Sequence, residues 1–161
     1  MAIFEFVKGA GQVLSSGLEA ASEAVRAEAE KKAIEAVTER IKASKIPHRD
    51  LALKFTSPGC LKVYVVVESL DAKDDIILMA GNTAGVEKVE DAIKVRPPGA
   101  TADVTGPPPR LYTVKAGDSL SAIARSQLGD ENRYREIFEA NRHILSNPDQ
   151  LEIGQTLKLP K

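Results

Sequence analysis

The side chains in this sequence that could do chemistry are few and scattered. His48 and His143 stand far apart, and neither has a second ligand at the spacing that zinc sites use, so surface or packing roles suit them. Cys60 is the single cysteine. It sits beside a turn glycine, without a recognisable histidine partner or redox motif, which argues against a nucleophile and excludes an intramolecular disulfide. The acidic pairs Asp74-Asp75 and Glu90-Asp91 read as solvated faces, and Glu28, Glu30, Lys31 and Lys32 as an exposed helix surface with short-range ion pairs. No phosphate loop, nucleophile elbow or paired-carboxylate site stands out, so the chain does not read as an enzyme. Two glycine-containing stretches, Gly9-Ala10-Gly11 and Gly81-Asn82-Thr83-Ala84-Gly85, read on their own as a helix break and a helix-ending turn.

The bulk numbers narrow the class. A chain of 161 residues suits one ordinary domain or two small ones. Hydrophobic residues make up 43%, aromatics only 4%, and tryptophan is absent, so the core is aliphatic and stacking on bases or sugar rings is disfavoured. Twenty-two basic residues against 23 acidic ones give a net charge of −1, with no general pull toward nucleic acid or anionic lipid. The start, Met1-Ala2-Ile3-Phe4-Glu5-Phe6-Val7-Lys8, lacks the basic region and unbroken apolar run of a secretory signal, and no cysteine lies nearby for lipidation. No window is long enough to span a bilayer. A lone thiol suits a reducing compartment. The expectation is a soluble, cytoplasmic, monomeric protein that neither inserts into membranes nor binds nucleic acid.

The elements follow from periodicity. Leu14, Leu18, Ala21 and Val25, then Ala33, Ile34, Val37 and Ile41, recur at helical spacing and stop near Ser44. Leu51, Leu53 and Phe55 alternate as a strand, Ser57-Pro58-Gly59 turns, and Leu61, Val63, Val65 and Val67 alternate again, predicting a hairpin. Asp71 is placed to cap a helix from Ala72 to Ala80, and Val86, Val89, Ile93 and Val95 supply a further strand. This αββαβ order predicts an α+β layer, one sheet covered by two helices. From Arg96 to Arg110 the chain carries five of its nine prolines, a semi-rigid spacer. Beyond it, Leu111–Val114 reads as a strand. A helix follows that is capped by Asp118 or Ser119 and contains Leu120, Ile123, Ala124 and Leu128. A second helix carries Tyr134, Ile137 and Phe138, and Thr156–Leu159 returns as a strand.

Three stretches carry resemblances. Tyr112-Thr113-Val114-Lys115-Ala116-Gly117-Asp118-Ser119-Leu120, with Asn147-Pro148-Asp149-Gln150-Leu151 and Ile153–Pro160, resembles a LysM domain, a βααβ module known for binding N-acetylglucosamine polymers. In LysM relatives the glycan groove is flanked by segments that fall here on Gly117, Asp118, Ser119 and Leu120 and on Asn147, Pro148 and Asp149. Residues Ile34 to Val95, through the hairpin and Ala80–Val89, resemble a BON domain. The whole order, from Phe4-Glu5-Phe6-Val7-Lys8-Gly9-Ala10-Gly11 through the proline linker to the terminal LysM, resembles the Kbp family of bacterial potassium-binding proteins. The resemblance implies an N-terminal helical leader packed on the next unit at 1–32, a BON-like domain at 33–96, a linker at 97–110 and a LysM domain at 111–161. It also implies a cytoplasmic sensor that changes conformation on binding K⁺ through main-chain carbonyls. Matched position by position, the ligands fall on Val7, Ala10 and Gln12 and on Gly81, Thr83 and Val86. Carbonyl dipoles can replace the water shell of a large, weakly hydrated monovalent cation, whereas carboxylate clusters favour Ca²⁺ or Mg²⁺. Read alone, the LysM signature implies instead an envelope-associated protein that binds peptidoglycan, with a glycan or protein partner in its groove.

Overall fold

The computed structural model describes residues 2–6 and 23–160. Its architecture is α+β, with two sheets and two hydrophobic cores. The larger sheet contains β1 (Ala2–Glu5), β2 (His48–Ser57), β3 (Cys60–Val67) and β4 (Lys88–Val95) in the spatial order β1-β4-β3-β2. The expected hairpin is β2–β3, antiparallel around Gly59, whose φ of +73° is one that side-chain-bearing residues rarely adopt. Strands β3 and β4 are parallel, which requires a crossover, and helix α2 (Leu70–Gly81) provides it. Helix α1 (Glu23–Ala43) buries Ala33, Val37 and Ile41, four residues apart along one stripe. On the same side of the sheet, Leu61, Val63, Val65 and Val67 of β3 join Ile76, Ile77, Leu78 and Met79 of α2 in one aliphatic core. Tyr64, on the other face of β3, is exposed.

Several expectations change. The N-terminal residues, read as part of a helical leader, begin as an edge strand: β1 pairs antiparallel with β4, from Ala2 opposite Asp91 to Glu5 opposite Lys88. That pairing depends on a distant partner and leaves no periodic trace in so short a segment. Helix α2 is capped by Ser69, not Asp71: the Ser69 hydroxyl accepts from the Ala72 N–H at 3.1 Å. The Glu90-Asp91 pair is no solvated face. Asp91 points into the core side of β4, is 9% exposed, and pairs with Lys73 of α2 at 2.6 Å. Glu90 is half-buried, accepting from the Thr56 hydroxyl at 2.8 Å and lying 3.5 Å from the Lys62 amine. The cost of burying each carboxylate is offset by a partner that sequence spacing does not reveal.

The proline-rich stretch lies against the first unit. Arg96 grips Asp103 at 2.7 Å, the Val104 N–H donates to the Val95 carbonyl at 2.7 Å, and Gly106 lies so close to Leu70 that a β-carbon there would come within 2.5 Å of it. The chain then forms β5 (Arg110–Thr113), α3 (Leu120–Leu128), a 3₁₀ turn (Glu131–Arg133), α4 (Tyr134–Ala140) and β6 (Thr156–Leu159), with β5 and β6 antiparallel. Of the two expected caps for α3, Ser119 serves, accepting from the Ala122 N–H at 3.2 Å, and Gly129 closes that helix with φ +78°. Leu120, Ile123, Ala124, Ile137, Leu145, Leu157 and Leu159 form the second core, and Ile144 packs against both cores.

Candidate functional site

Helix α2 runs into the centre of the molecule. Its last six residues, Ile76–Gly81, are all buried, and the turn that follows is held from several directions. From the N-terminus comes Phe6, whose ring lies over Gly81 where a β-carbon would sit, 2.0 Å from that position. From the hairpin comes the Gly59 carbonyl, accepting from the Glu87 and Lys88 N–H groups at 2.7 and 3.0 Å. From α1 comes Arg40, which donates to the Asn82 carbonyl at 3.2 Å and to the Thr83 hydroxyl at 3.4 Å.

Within the turn, the Thr83 N–H donates to the Ala80 carbonyl at 3.2 Å and the Thr83 hydroxyl to the Met79 carbonyl at 2.8 Å. The Val86 N–H donates to the Thr83 carbonyl at 3.1 Å, and Gly85 has φ +87°. Thr83 and Val86 are 6% and 7% exposed. Of the expected carbonyl ligands, Gly81, Thr83 and Val86 are thus three buried residues of one turn after a helix C-terminus, in which Ala84 is exposed; main-chain carbonyls at a helix end carry partial negative charge. Val7, Ala10 and Gln12 lie outside the described residues. Phe6 brings the chain to the turn just before Val7. The turn from Gly81 to Val86 contains no carboxylate side chain, so its donors are neutral dipoles. Among the described residues, no group of three or more His, Cys, Asp or Glu side chains could hold a metal ion.

Asn82, which sequence reading passed over as a turn residue, makes the link to the C-terminal unit. Its side-chain amide donates to the Thr156 carbonyl at 2.9 Å and accepts from the Thr156 N–H at 2.8 Å, while also donating to the Leu78 carbonyl at 3.0 Å. Asn141, fully buried after α4, repeats the arrangement two residues along the same strand. It donates to the Lys158 carbonyl at 2.7 Å, accepts from the Lys158 N–H at 2.8 Å, and donates to the Ile137 carbonyl at 2.7 Å. An asparagine at a helix end is a legible stop signal. Its partner 74 residues away is not.

A charged cluster lies beside this contact. Lys158 reaches Asp71 at 3.0 Å, Asp74 at 3.5 Å and Asp75 at 3.6 Å, and His143 lies 3.3 Å from Asp75. The Asp74-Asp75 pair is therefore an interface element and not a solvated face. Burial raises the Asp75 pKa to about 6 against the opposing charge of Lys158, and raises that of Asp74. Burial works to lower the Lys158 pKa, but its three aspartate partners prevail and raise it. His143 is shifted down, by burial first and by Lys158 second.

In the C-terminal unit, Gly117 is exposed with φ +83°. The half-buried Asp118 accepts from the Tyr112 hydroxyl at 2.9 Å and the Lys115 N–H at 2.8 Å. Ser119 is engaged as the α3 cap, and Leu120, 3% exposed, turns its side chain into the core. In the loop before β6, the Asn147 side chain accepts from the Asp149 N–H at 3.0 Å, with Asn147 and Asp149 exposed and Pro148 half-buried.

Comparison with known proteins adds three findings. The family model for the LysM domain matches residues 112–160. Across 161 residues, the whole of this chain and 99% of the relative, the sequence is 35% identical to the potassium binding protein Kbp of Escherichia coli O6:H1. A shorter match, 48% identical over 50 residues, joins 31% of this chain to 19% of an uncharacterized protein of Deinococcus radiodurans.

Proposed function

This chain belongs to the family of the potassium binding protein Kbp, and from that membership we propose that it is a cytoplasmic K⁺ sensor that changes conformation on binding the ion. The ligands in this reading are the main-chain carbonyls of Val7, Ala10 and Gln12 and of Gly81, Thr83 and Val86. The observation that carries it is the turn after α2, in which Gly81, Thr83 and Val86 are buried: neutral carbonyls at a helix C-terminus, with Phe6 packed on Gly81. Such donors suit a large monovalent cation better than a divalent one. We divide the chain accordingly into an N-terminal segment at 1–32, a BON-like unit at 33–96, a linker at 97–110 and a LysM unit at 111–161. It works as a monomer that binds an ion and catalyses no reaction.

Titration of the purified protein with KCl and with NaCl, followed by calorimetry and hydrodynamics, tests this. Saturable heat and a smaller hydrodynamic radius with K⁺ alone support it. An equal response to both ions, or to neither, overturns it. The LysM match favours a second reading, an envelope-associated protein that binds N-acetylglucosamine polymers along the Gly117–Leu120 and Asn147–Asp149 segments. Retention on purified peptidoglycan together with envelope fractionation would favour that reading over the first.

A further inference from the structure

Strand β6 has two edges. On one it pairs with β5. On the other, the main-chain groups of Thr156 and Lys158 pair with side-chain amides, Asn82 taking both Thr156 groups and Asn141 both Lys158 groups. Each amide offers an N–H and a C=O side by side, and so imitates one residue of a neighbouring strand. Asn141 belongs to the same unit as β6. Asn82 does not: it caps α2, with its main chain between Gly81 and Thr83.

We propose that Asn82 is a positioning residue that couples K⁺ capture at the α2 turn to the seating of the C-terminal unit. This rests on the reading above and deepens it. The carbonyls of residues 81 and 83 and the Asn82 side chain share one short stretch of backbone. The Gly81 carbonyl shares a rigid peptide plane with the Asn82 N–H, so its direction relative to the Asn82 Cα–Cβ bond is set by one dihedral, φ of Asn82, and re-aiming that carbonyl toward an ion either changes this dihedral or turns the side chain with it. The Asn82 amide is tied at a third point by its donation to the Leu78 carbonyl, which limits its freedom to compensate. A turn geometry that favours the ion and one that favours Thr156 are therefore linked. Linkage is reciprocal: seating of β6 raises K⁺ affinity by the factor by which K⁺ tightens the seating. The Asn141 clamp joins Ile137 and Lys158 within the C-terminal unit and serves as the internal reference.

The test is hydrogen exchange of the Thr156 and Lys158 amides in the full chain, with and without KCl, alongside K⁺ calorimetry. In the wild type, K⁺ slows exchange at Thr156 and leaves Lys158 little changed. In Asn82→Ala, K⁺ still binds, about tenfold more weakly, a factor within the usual range of such couplings. Exchange at Thr156 is then fast and no longer responds to K⁺, while Lys158 stays protected. Asn82→Asp is the backup should the alanine variant fold poorly. It keeps the shape of the cap and the acceptor for the Thr156 N–H but loses both donated bonds, and its K⁺ response at Thr156 is expected to be reduced. A variant that binds K⁺ with wild-type affinity and keeps the response at Thr156 overturns the coupling. A wild type that gives no K⁺ heat overturns the underlying reading instead.

Discussion

Gly81 has no room for a β-carbon. In a helix, alanine is favoured over glycine by about 1 kcal/mol, so an exposed site would gain from Gly81→Ala. Here the new atom would meet the Phe6 ring at 2.0 Å, and overpacking of this kind typically costs about 1–3 kcal/mol. The clash is deep enough to win. Urea unfolding of Gly81→Ala is expected to show a net loss of about 1 kcal/mol, with Phe6 displaced and K⁺ heat abolished; a more stable variant that still binds would be contrary evidence. Arg40 presents the opposite case. Its guanidinium is a cation already donating to the Asn82 carbonyl, beside the turn that would receive K⁺. Removing that charge in Arg40→Gln should raise K⁺ affinity about threefold at low ionic strength, a modest effect because the side chain is solvated. Weaker binding by calorimetry would mean that Arg40 holds the turn in shape instead of competing with the ion.

At the scale of elements, the contact between α2 and β6 has a built-in pH dependence. The folded-state pKa of Asp75, about 6, lies above its ordinary value of 3.8, so folding tightens proton binding there. Its stabilising contribution is present below about pH 4 and lost as pH rises through about 6. The depressed pKa of His143 acts in the opposite sense, since its contribution is present above the ordinary histidine value and lost as pH falls. Asp75→Asn removes the first effect. Relative to wild type, this variant should gain about 1 kcal/mol at pH 7, a figure discounted for residual solvent access, and nothing at pH 4. Chemical unfolding at the two pH values checks this, and an equal difference at both would refute the assignment. None of this cluster was legible in the sequence. Periodicity located the helices and strands because Val37 and Ile41, or Val63 and Val65, repeat at the spacing of their own element. Asp75, Lys158 and His143 meet only through tertiary packing, and so do Asn82 and Thr156. The turn itself was visible as glycines after an apolar helix, and its proposed role came from resemblance. That Phe6 and Arg40 converge on it required the fold, and the N-terminal strand was hidden because its partner, β4, lies far along the chain.

For the whole molecule, the two units are joined by polar contacts as well as by the packing of Leu111 and Ile144 on the first core. Lys158, side chain 13% exposed, faces three aspartates, and the Asn82 amide lies close by on β6. Removing one partner of a buried charged cluster leaves the others uncompensated. Lys158→Met should therefore weaken docking by about 2 kcal/mol, discounted from the usual 3–5 because Asp71 is exposed. The radius of gyration from small-angle scattering should increase while each unit keeps its secondary structure. In the presence of K⁺ the increase should be smaller, and identical scattering with and without the substitution would show that the cluster does not hold the units together.

The paired asparagines on β6 also bear on solubility. An open strand edge offers unpaired N–H and C=O groups to any other chain, and proteins that leave one uncovered are prone to edge-to-edge association. Asn141 covers only the Lys158 half of this edge, and Asn82 covers the Thr156 half from the other unit. A fragment beginning at Arg110 would carry the strand with that half bare. Undocking in the full chain would bare it too, so an opening of the molecule would create a short sticky edge, to be covered again only when the α2 turn returned.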